Sequence, residues 1–184
     1  MHCLLRAPLL RLKPVLVKSF SNTSILNMPI IQVGESIPDV VLFENTPANK
    51  INIKKLCAGK KVVLFAVPGA FTPGCSKTHL PGYVKDADDL KSKGIGEIVC
   101  VSVNDPFVMG AWGKDQNAEG KVRMLADPSA EFTKALELDT DLPPLGGVRS
   151  KRYSMVIEDG VVTKLNVEPD GTGLACSLSK NLEL

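Results

Sequence analysis

The run Lys61-Val-Val-Leu-Phe-Ala-Val67 constrains the fold more than any other stretch of the chain. It is apolar without alternation and rich in β-branched residues, the pattern of a strand covered on both faces. Pro68 stops it. A second such run, Ile98-Val-Cys-Val-Ser-Val103, follows a helical stretch that extends from Cys75 to about Lys93 and is closed by Gly94 and Gly96. Pro81 falls inside that helix and, lacking an N–H, should kink it. Further along, Pro106 to about Gln116 reads as a helix, Val122–Leu125 as a short strand and Ser129–Leu138 as a helix. Before these lie an apolar run at Val40–Phe43 and a helical turn at Ile53–Leu56. Tyr153–Ile157 and Val161–Val167 flank Glu158-Asp-Gly160, a strong hairpin signal. The prediction is an α/β fold: a mixed central β-sheet with helices on both faces and a C-terminal β-hairpin.

Composition fits one globular domain. The chain has 184 residues, 44% hydrophobic and 23% charged, and no internal repeat. A formal net charge of +2 is no argument for nucleic acid, and the apolar runs are far shorter than the ~20 residues a membrane helix needs. The charge is unevenly spread. Four of the 22 basic residues fall within residues 1–27, where there is no acid, which leaves 18 against 20 beyond them and turns +2 into −2. Basic, acid-free, leucine- and serine-containing, with Arg6, Pro8, Arg11, Lys13 and Pro14 interrupting any apolar core, residues 1–27 read as a mitochondrial transit peptide ahead of a domain at 28–184. Met28 offers an internal start that would leave the protein cytoplasmic.

Of the five cysteines, Cys3 falls in this leader, leaving Cys57, Cys75, Cys100 and Cys176. That is too sparse for a disulfide scaffold, so any disulfide here is expected to be transient and catalytic. Cys100, mid-strand, reads as core, and Cys57 as surface or half-buried packing. Cys75 stands apart. In Pro68-Gly-Ala-Phe-Thr-Pro-Gly-Cys75, Thr72 suits an N-cap and Pro73 the first helical position, which puts Cys75 in the first turn. There the free backbone N–H groups and the dipole favour an anion, and an ionised thiol is a nucleophile. Lowering a thiol from pKa ~8.5 to ~6 takes roughly 3.4 kcal/mol. A helix terminus supplies about 0.3–1 kcal/mol, ~2 when partly buried; a cation at ~4 Å supplies up to ~4 kcal/mol at an effective dielectric of 20. An arginine beside Cys75 is therefore expected, with Arg123, Arg149 and Arg152 as candidates that spacing does not separate. Cys75 and His79 have a spacing that could hold a metal, but two further ligands are missing, so neither a metal nor another cofactor is expected.

Pro68-x-x-x-Thr72-x-x-Cys75 resembles the active-site motif of the peroxiredoxins, and PGAFTPGCSKTHLPGYV (residues 68–84) resembles their peroxiredoxin 5 subgroup. The likeness extends over residues 29–184, through Ser102-Val-Asn-Asp105, Glu119-Gly-Lys-Val122, Leu125-Ala-Asp-Pro128 and Asn166-Val-Glu-Pro-Asp-Gly-Thr-Gly173. It implies a thioredoxin-like fold and reduction of hydrogen peroxide, alkyl hydroperoxides and peroxynitrite. It implies Cys75 as the peroxidatic cysteine that becomes a sulfenic acid, Thr72 as its hydrogen-bond partner, Pro68 as a shield against water and Arg152 as the cation. It also implies Cys176, in Gly171-Thr-Gly-Leu-Ala-Cys176, as the resolving cysteine of an intramolecular disulfide with Cys75. The partners it implies are thioredoxin as reductant and small peroxides, with the chain a monomer or weak homodimer. The competing reading, a dithiol oxidoreductase, wants Cys-x-x-Cys, and the earlier position is Thr72. A redox-sensing binding protein would oxidise Cys75 once rather than catalytically.

Overall fold

The computed structural model describes residues 30–184; the expected presequence at 1–27 and the start at Met28 lie outside them. Strand β1 (Val41–Glu44) pairs with β2 (Thr46–Asn52), and α1 (Ile53–Cys57) leads into β3 (Lys61–Ala66). A π-helical turn, Cys75–His79, runs into α2 (Leu80–Ser92); then come β4 (Glu97–Ser102), α3 (Pro106–Asp115), β5 (Arg123–Ala126) and α4 (Glu131–Ala135). A small hairpin of β6 (Asp139–Leu142) and β7 (Gly147–Ser150) precedes β8 (Tyr153–Glu158) and β9 (Val161–Val167). Seven strands form one sheet in the order β2-β1-β5-β4-β3-β8-β9. Strands β3, β4 and β5 are parallel and the outer pairings antiparallel, which is the mixed sheet predicted. Among the described residues no helix is long and apolar enough to cross a membrane.

The unbroken apolar run of β3 divides between the two faces. Val63 and Phe65 pack with Tyr83, Leu90 and Trp112 of α2 and α3 on one side; Val62, Leu64 and Ala66 pack with Ile53, Phe132 and Leu136 on the other. Strand alternation thus explains why the run carries no polar residue after Lys61 at its start. The kink expected at Pro81 takes the form of the π turn. A proline ring collides with the carbonyl four residues back and donates nothing, so the turn before it widens and Leu80 N–H reaches Cys75 O. The expected Ser129–Leu138 helix is shorter, since Ala130 takes a left-handed φ of 55° and starts it late.

Register then gathers the site. Strand β3 runs antiparallel to β8 with Ala66 opposite Tyr153, and Tyr153 is also opposite Val167 of β9. The segment after β3, the residue before β8 and the segment after β9 therefore share one end of the sheet. Those segments carry Cys75, Arg152 and Cys176.

Helix α3 is held against β5 at Gly113, where a Cβ would lie 2.7 Å from Met124 Cγ. Gly113→Ala is expected to lower stability by about 1–3 kcal/mol through overpacking. Urea unfolding should show a lower midpoint at unchanged m; an unchanged midpoint would mean that Met124 moves aside freely.

Candidate active site

Pro68 is buried at the end of β3. The chain then turns through Phe71, whose φ of 60° is uncommon for a bulky side chain, and the helix starts at Pro73. Thr72 occupies the N-cap position, and its carbonyl accepts from Ser76 N–H at 2.9 Å. Its hydroxyl does not cap the helix. It lies 2.9 Å from Gly69 O and 2.8 Å from Cys75 Sγ, so the side chain serves the cysteine rather than the helix end. Cys75 itself is fully buried.

Of the three candidate arginines, Arg152 is the one at the sulfur, with Nη1 3.3 Å from Sγ. Arg123 instead forks onto Glu44 at 3.0 and 2.6 Å, and Arg149 donates to Val103 O and Leu145 O. Only 4% exposed, Arg152 is fully directed: Nη1 also donates to His79 Nδ1 at 3.1 Å, and Nε donates to Thr172 O at 3.0 Å. The other ring nitrogen of His79 lies 3.0 Å from Ser177 O. An arginine only donates and a carbonyl only accepts, so the ring is neutral with its proton on Nε2. Burial, reinforced by the Arg152 charge, lowers the His79 pKa to about 4 against the opposing pull of the Ser177 carbonyl. Both ring nitrogens are occupied by these bonds.

Three participants carried no sequence signal. Tyr83 donates to the same Ser177 carbonyl at 2.7 Å while its ring stacks on Phe65. Ser177 and Glu168 are the other two. The Glu168 carboxylate accepts from the N–H groups of Ala175, Cys176 and Ser177 and from Ser177 Oγ, at 2.7–2.9 Å. Burial pushes the Glu168 carboxyl up, but these bonds outweigh it and hold the pKa at about 2. A single glutamate after a strand gives no hint of this, since its donors lie seven to nine residues onward. Cys176 is half-buried, its thiol donating to Val167 O at 3.4 Å, and both Cys75 and Cys176 are free. Cys100 is core, as read. Cys57, expected at the surface or half-buried, is fully buried: it sits one helical turn from Ile53, on the face that α1 turns to the sheet. Trp112 is buried too, its indole N–H donating to Ser76 Oγ at 3.0 Å.

The Redoxin family model matches residues 32–181. Peroxiredoxin-2B of Arabidopsis thaliana is 49% identical over 148 residues, which is 78% of this chain and 91% of that protein. The chain belongs to the peroxiredoxin family. Reduced Prx3 from Vibrio vulnificus in complex with H2O2 is 52% identical with a TM-score of 0.78, covering 83% of this chain and 96% of that one. Peroxiredoxin 5 from Alvinella pompejana is 48% identical with a TM-score of 0.72, covering 79% and 95%. The fold of this peroxiredoxin is thioredoxin-like, as the motif resemblance implied, and the family's activity is that of a thiol peroxidase.

The buried groups make its stability depend on pH in two windows. His79, depressed in the folded state, favours unfolding as pH falls from ~6.5 to about 4, because there the unfolded chain binds the proton and the folded chain does not. Glu168, also depressed, contributes stability above ~4.5 that is lost as pH falls toward about 2. Each window spans up to about 3 kcal/mol at ~1.36 per pH unit. Chemical denaturation at stepped pH should show both slopes, and His79→Gln should flatten the upper one alone. A variant that retains the upper slope would assign it to another group.

Proposed function

We propose that this peroxiredoxin reduces hydrogen peroxide, alkyl hydroperoxides and peroxynitrite with Cys75 as the peroxidatic cysteine, Cys176 as the resolving cysteine and thioredoxin as the reductant. The observation that carries the reading is the placement of one buried sulfur between the Thr72 hydroxyl and the Arg152 guanidinium. Attack of the sulfur on one peroxide oxygen forms the S–O bond and breaks the O–O bond. The leaving oxygen departs as hydroxide or alkoxide and takes up a proton, or, from peroxynitrite, leaves as nitrite. Charge grows on that oxygen in the transition state, so donors fixed beforehand near the sulfur stabilise it most. Arg152 and the first-turn N–H of Cys75 are such donors. Thr72 is half-buried beside a sulfur that is not exposed, and its hydroxyl stands at hydrogen-bond distance from that sulfur. Pro68 adds no donor and keeps water from the far side.

The resulting Cys75 sulfenic acid reacts with the Cys176 thiol: the S–S bond forms, the S–O bond breaks and water leaves. A dithiol reductant of the thioredoxin class then returns both thiols and is itself oxidised to a disulfide. Residues 1–27, basic and free of acid, direct one form to mitochondria, and translation from Met28 leaves a cytoplasmic form; N-terminal sequencing of protein from each fraction tests this.

Peptide mapping after one equivalent of peroxide without reductant should recover a Cys75–Cys176 link. Cys75→Ser should abolish peroxide consumption, and consumption persisting in that variant would refute the reading. Cys176→Ser should react once and then lose cycling driven by thioredoxin; unimpaired cycling would move the resolving role to another cysteine. Arg152→Lys keeps the charge but not the planar fork. It should slow the peroxide step roughly 10- to 100-fold, the worth of one charge-assisted hydrogen bond of about 1.5–3 kcal/mol. A rate equal to that of the native chain would remove Arg152 from the chemistry.

A further inference from the structure

The run Ser102-Val-Asn-Asp105 joins β4 to α3, and each of its polar side chains is engaged. Asp105 caps α3 at the N–H groups of Phe107 and Val108. Asn104 reaches back instead to the loop after β3, where its Oδ1 accepts Ala70 N–H at 3.0 Å. Among the described residues this is the one hydrogen bond that ties residues 68–71 to a distant part of the chain. Asn104 is itself held from behind. The buried Ser102 hydroxyl stands 2.8 Å from its Oδ1 and 3.1 Å from Val67 O. Ser102 O accepts from Asp127 N–H at 2.9 Å, and Val103 O accepts from Arg149 Nη1 at 2.9 Å. The backbone that presents Asn104 is thus fixed at both residues before it.

The amide that Asn104 holds belongs to the same planar unit as the Gly69 carbonyl, and a trans peptide points its N–H and C=O to opposite sides. On the far side of that plane the Gly69 oxygen meets Thr72, 2.9 Å from its hydroxyl and 3.5 Å from its N–H. The same hydroxyl lies 2.8 Å from Cys75 Sγ. One rigid peptide therefore links Asn104 to the side chain that serves the sulfur. That plane needs a tether. It starts at Gly69, a residue type whose backbone turns more freely than any other. It leads into Phe71 at a φ of 60°, which a bulky residue keeps only where its surroundings impose it. We propose that Asn104 is a positioning residue for the peroxide step: by holding the Gly69–Ala70 peptide it fixes the Gly69 oxygen, and through it the Thr72 hydroxyl, beside Cys75. The inference rests on the peroxidase reading above. Asn104 makes no hydrogen bond to Cys75, so its effect passes through Thr72. Donors placed before the reaction stabilise its transition state most, and a small displacement of one is costly.

Trp112 is the single tryptophan and bonds Ser76, next to Cys75, so its fluorescence reports the site. Reduced full-length protein is mixed with H2O2 in stopped flow. The native chain should show a phase whose rate rises with peroxide. Asn104→Ala should slow that phase about tenfold, through displacement of the hydroxyl. Both partners of Oδ1 are donors, so a carboxylate fits the same place, and Asn104→Asp should recover at least about threefold of the loss. Thr72→Val removes the hydroxyl and should slow the phase at least as much as Asn104→Ala. Adding Asn104→Ala to Thr72→Val should then change the rate by less than about twofold, whereas two independent losses would multiply. Ser102→Ala frees the Asn104 side chain and should slow the phase by a smaller factor, again adding nothing to Thr72→Val; it reads the same path if Asn104→Ala folds poorly. A native rate in Asn104→Ala, an Asp variant as slow as the Ala one, or losses that multiply with Thr72→Val would each overturn the positioning role and leave the peroxidase reading standing. Absence of any peroxide-dependent phase in the native chain overturns both.

Discussion

A guanidinium is costly to take out of water, and a buried cation is normally met by a carboxylate. Arg152 is buried without one. None of the ion pairs among the described residues involves it; its partners are two backbone segments, a neutral imidazole and a sulfur. Of these contacts only the sulfur can carry negative charge. The fold has buried a cation beside one neighbour able to balance it, the Cys75 sulfur, and much of the rest of the site follows from keeping that arrangement intact. His79 must be neutral, since a protonated ring would set a second cation against the first. Thr172 O, Gly171 O and Glu168 N must be present to orient the arginine, and all three belong to the segment that carries Cys176.

That site is assembled across long sequence separations by the sheet alone. Cys75 and Arg152 lie 77 residues apart, yet the antiparallel register of β3 and β8 puts the end of one strand beside the start of the other. The two unbroken apolar runs were readable because a strand covered on both faces has no position at which a polar residue is cheap. The Asp-Gly hairpin was readable because its turn needs positive φ, which Asp159 and Gly160 adopt. The motif around Cys75 was readable in part for a similar reason, since proline fits the first helical position, although the Thr72 hydroxyl goes to the sulfur and not to the helix end.

Where local rules have no purchase, the sequence says less. Strand β2, TPANKIN, is polar and contains a proline, as an exposed sheet edge permits, so no pattern marks it. The hairpin of β6 and β7 encloses Pro143, Pro144 and Gly146 and begins its second strand at Gly147, a stretch that looks like loop. Three arginines satisfied the charge requirement equally, and only tertiary pairing decides among them: Arg123 is claimed by Glu44 and Arg149 by two carbonyls. Glu168 and Tyr83 were invisible because each works through backbone atoms of residues 175–177, and backbone atoms leave no trace in a residue pattern.

Thr72 shows how such a site can serve a sulfur in two protonation states without rearranging. Its oxygen stands within hydrogen-bond distance of both Gly69 O and Cys75 Sγ, but it has one proton to give. The Gly69 carbonyl can only accept. When the sulfur is a thiol, the hydroxyl can point to Gly69 and accept the S–H; when the sulfur is an anion, the hydroxyl turns and donates to it. Rotation of one C–O bond replaces a shift of the helix. Valine, which has the same shape, would leave the sulfur unpartnered on that side in both states. Serine would keep the hydroxyl but lose the methyl group, which at present lies close enough to Gly69 that a Cβ there would meet it at 3.2 Å. The methyl group confines the rotor and the hydroxyl serves the chemistry, which is why a β-branched alcohol fits this position better than either.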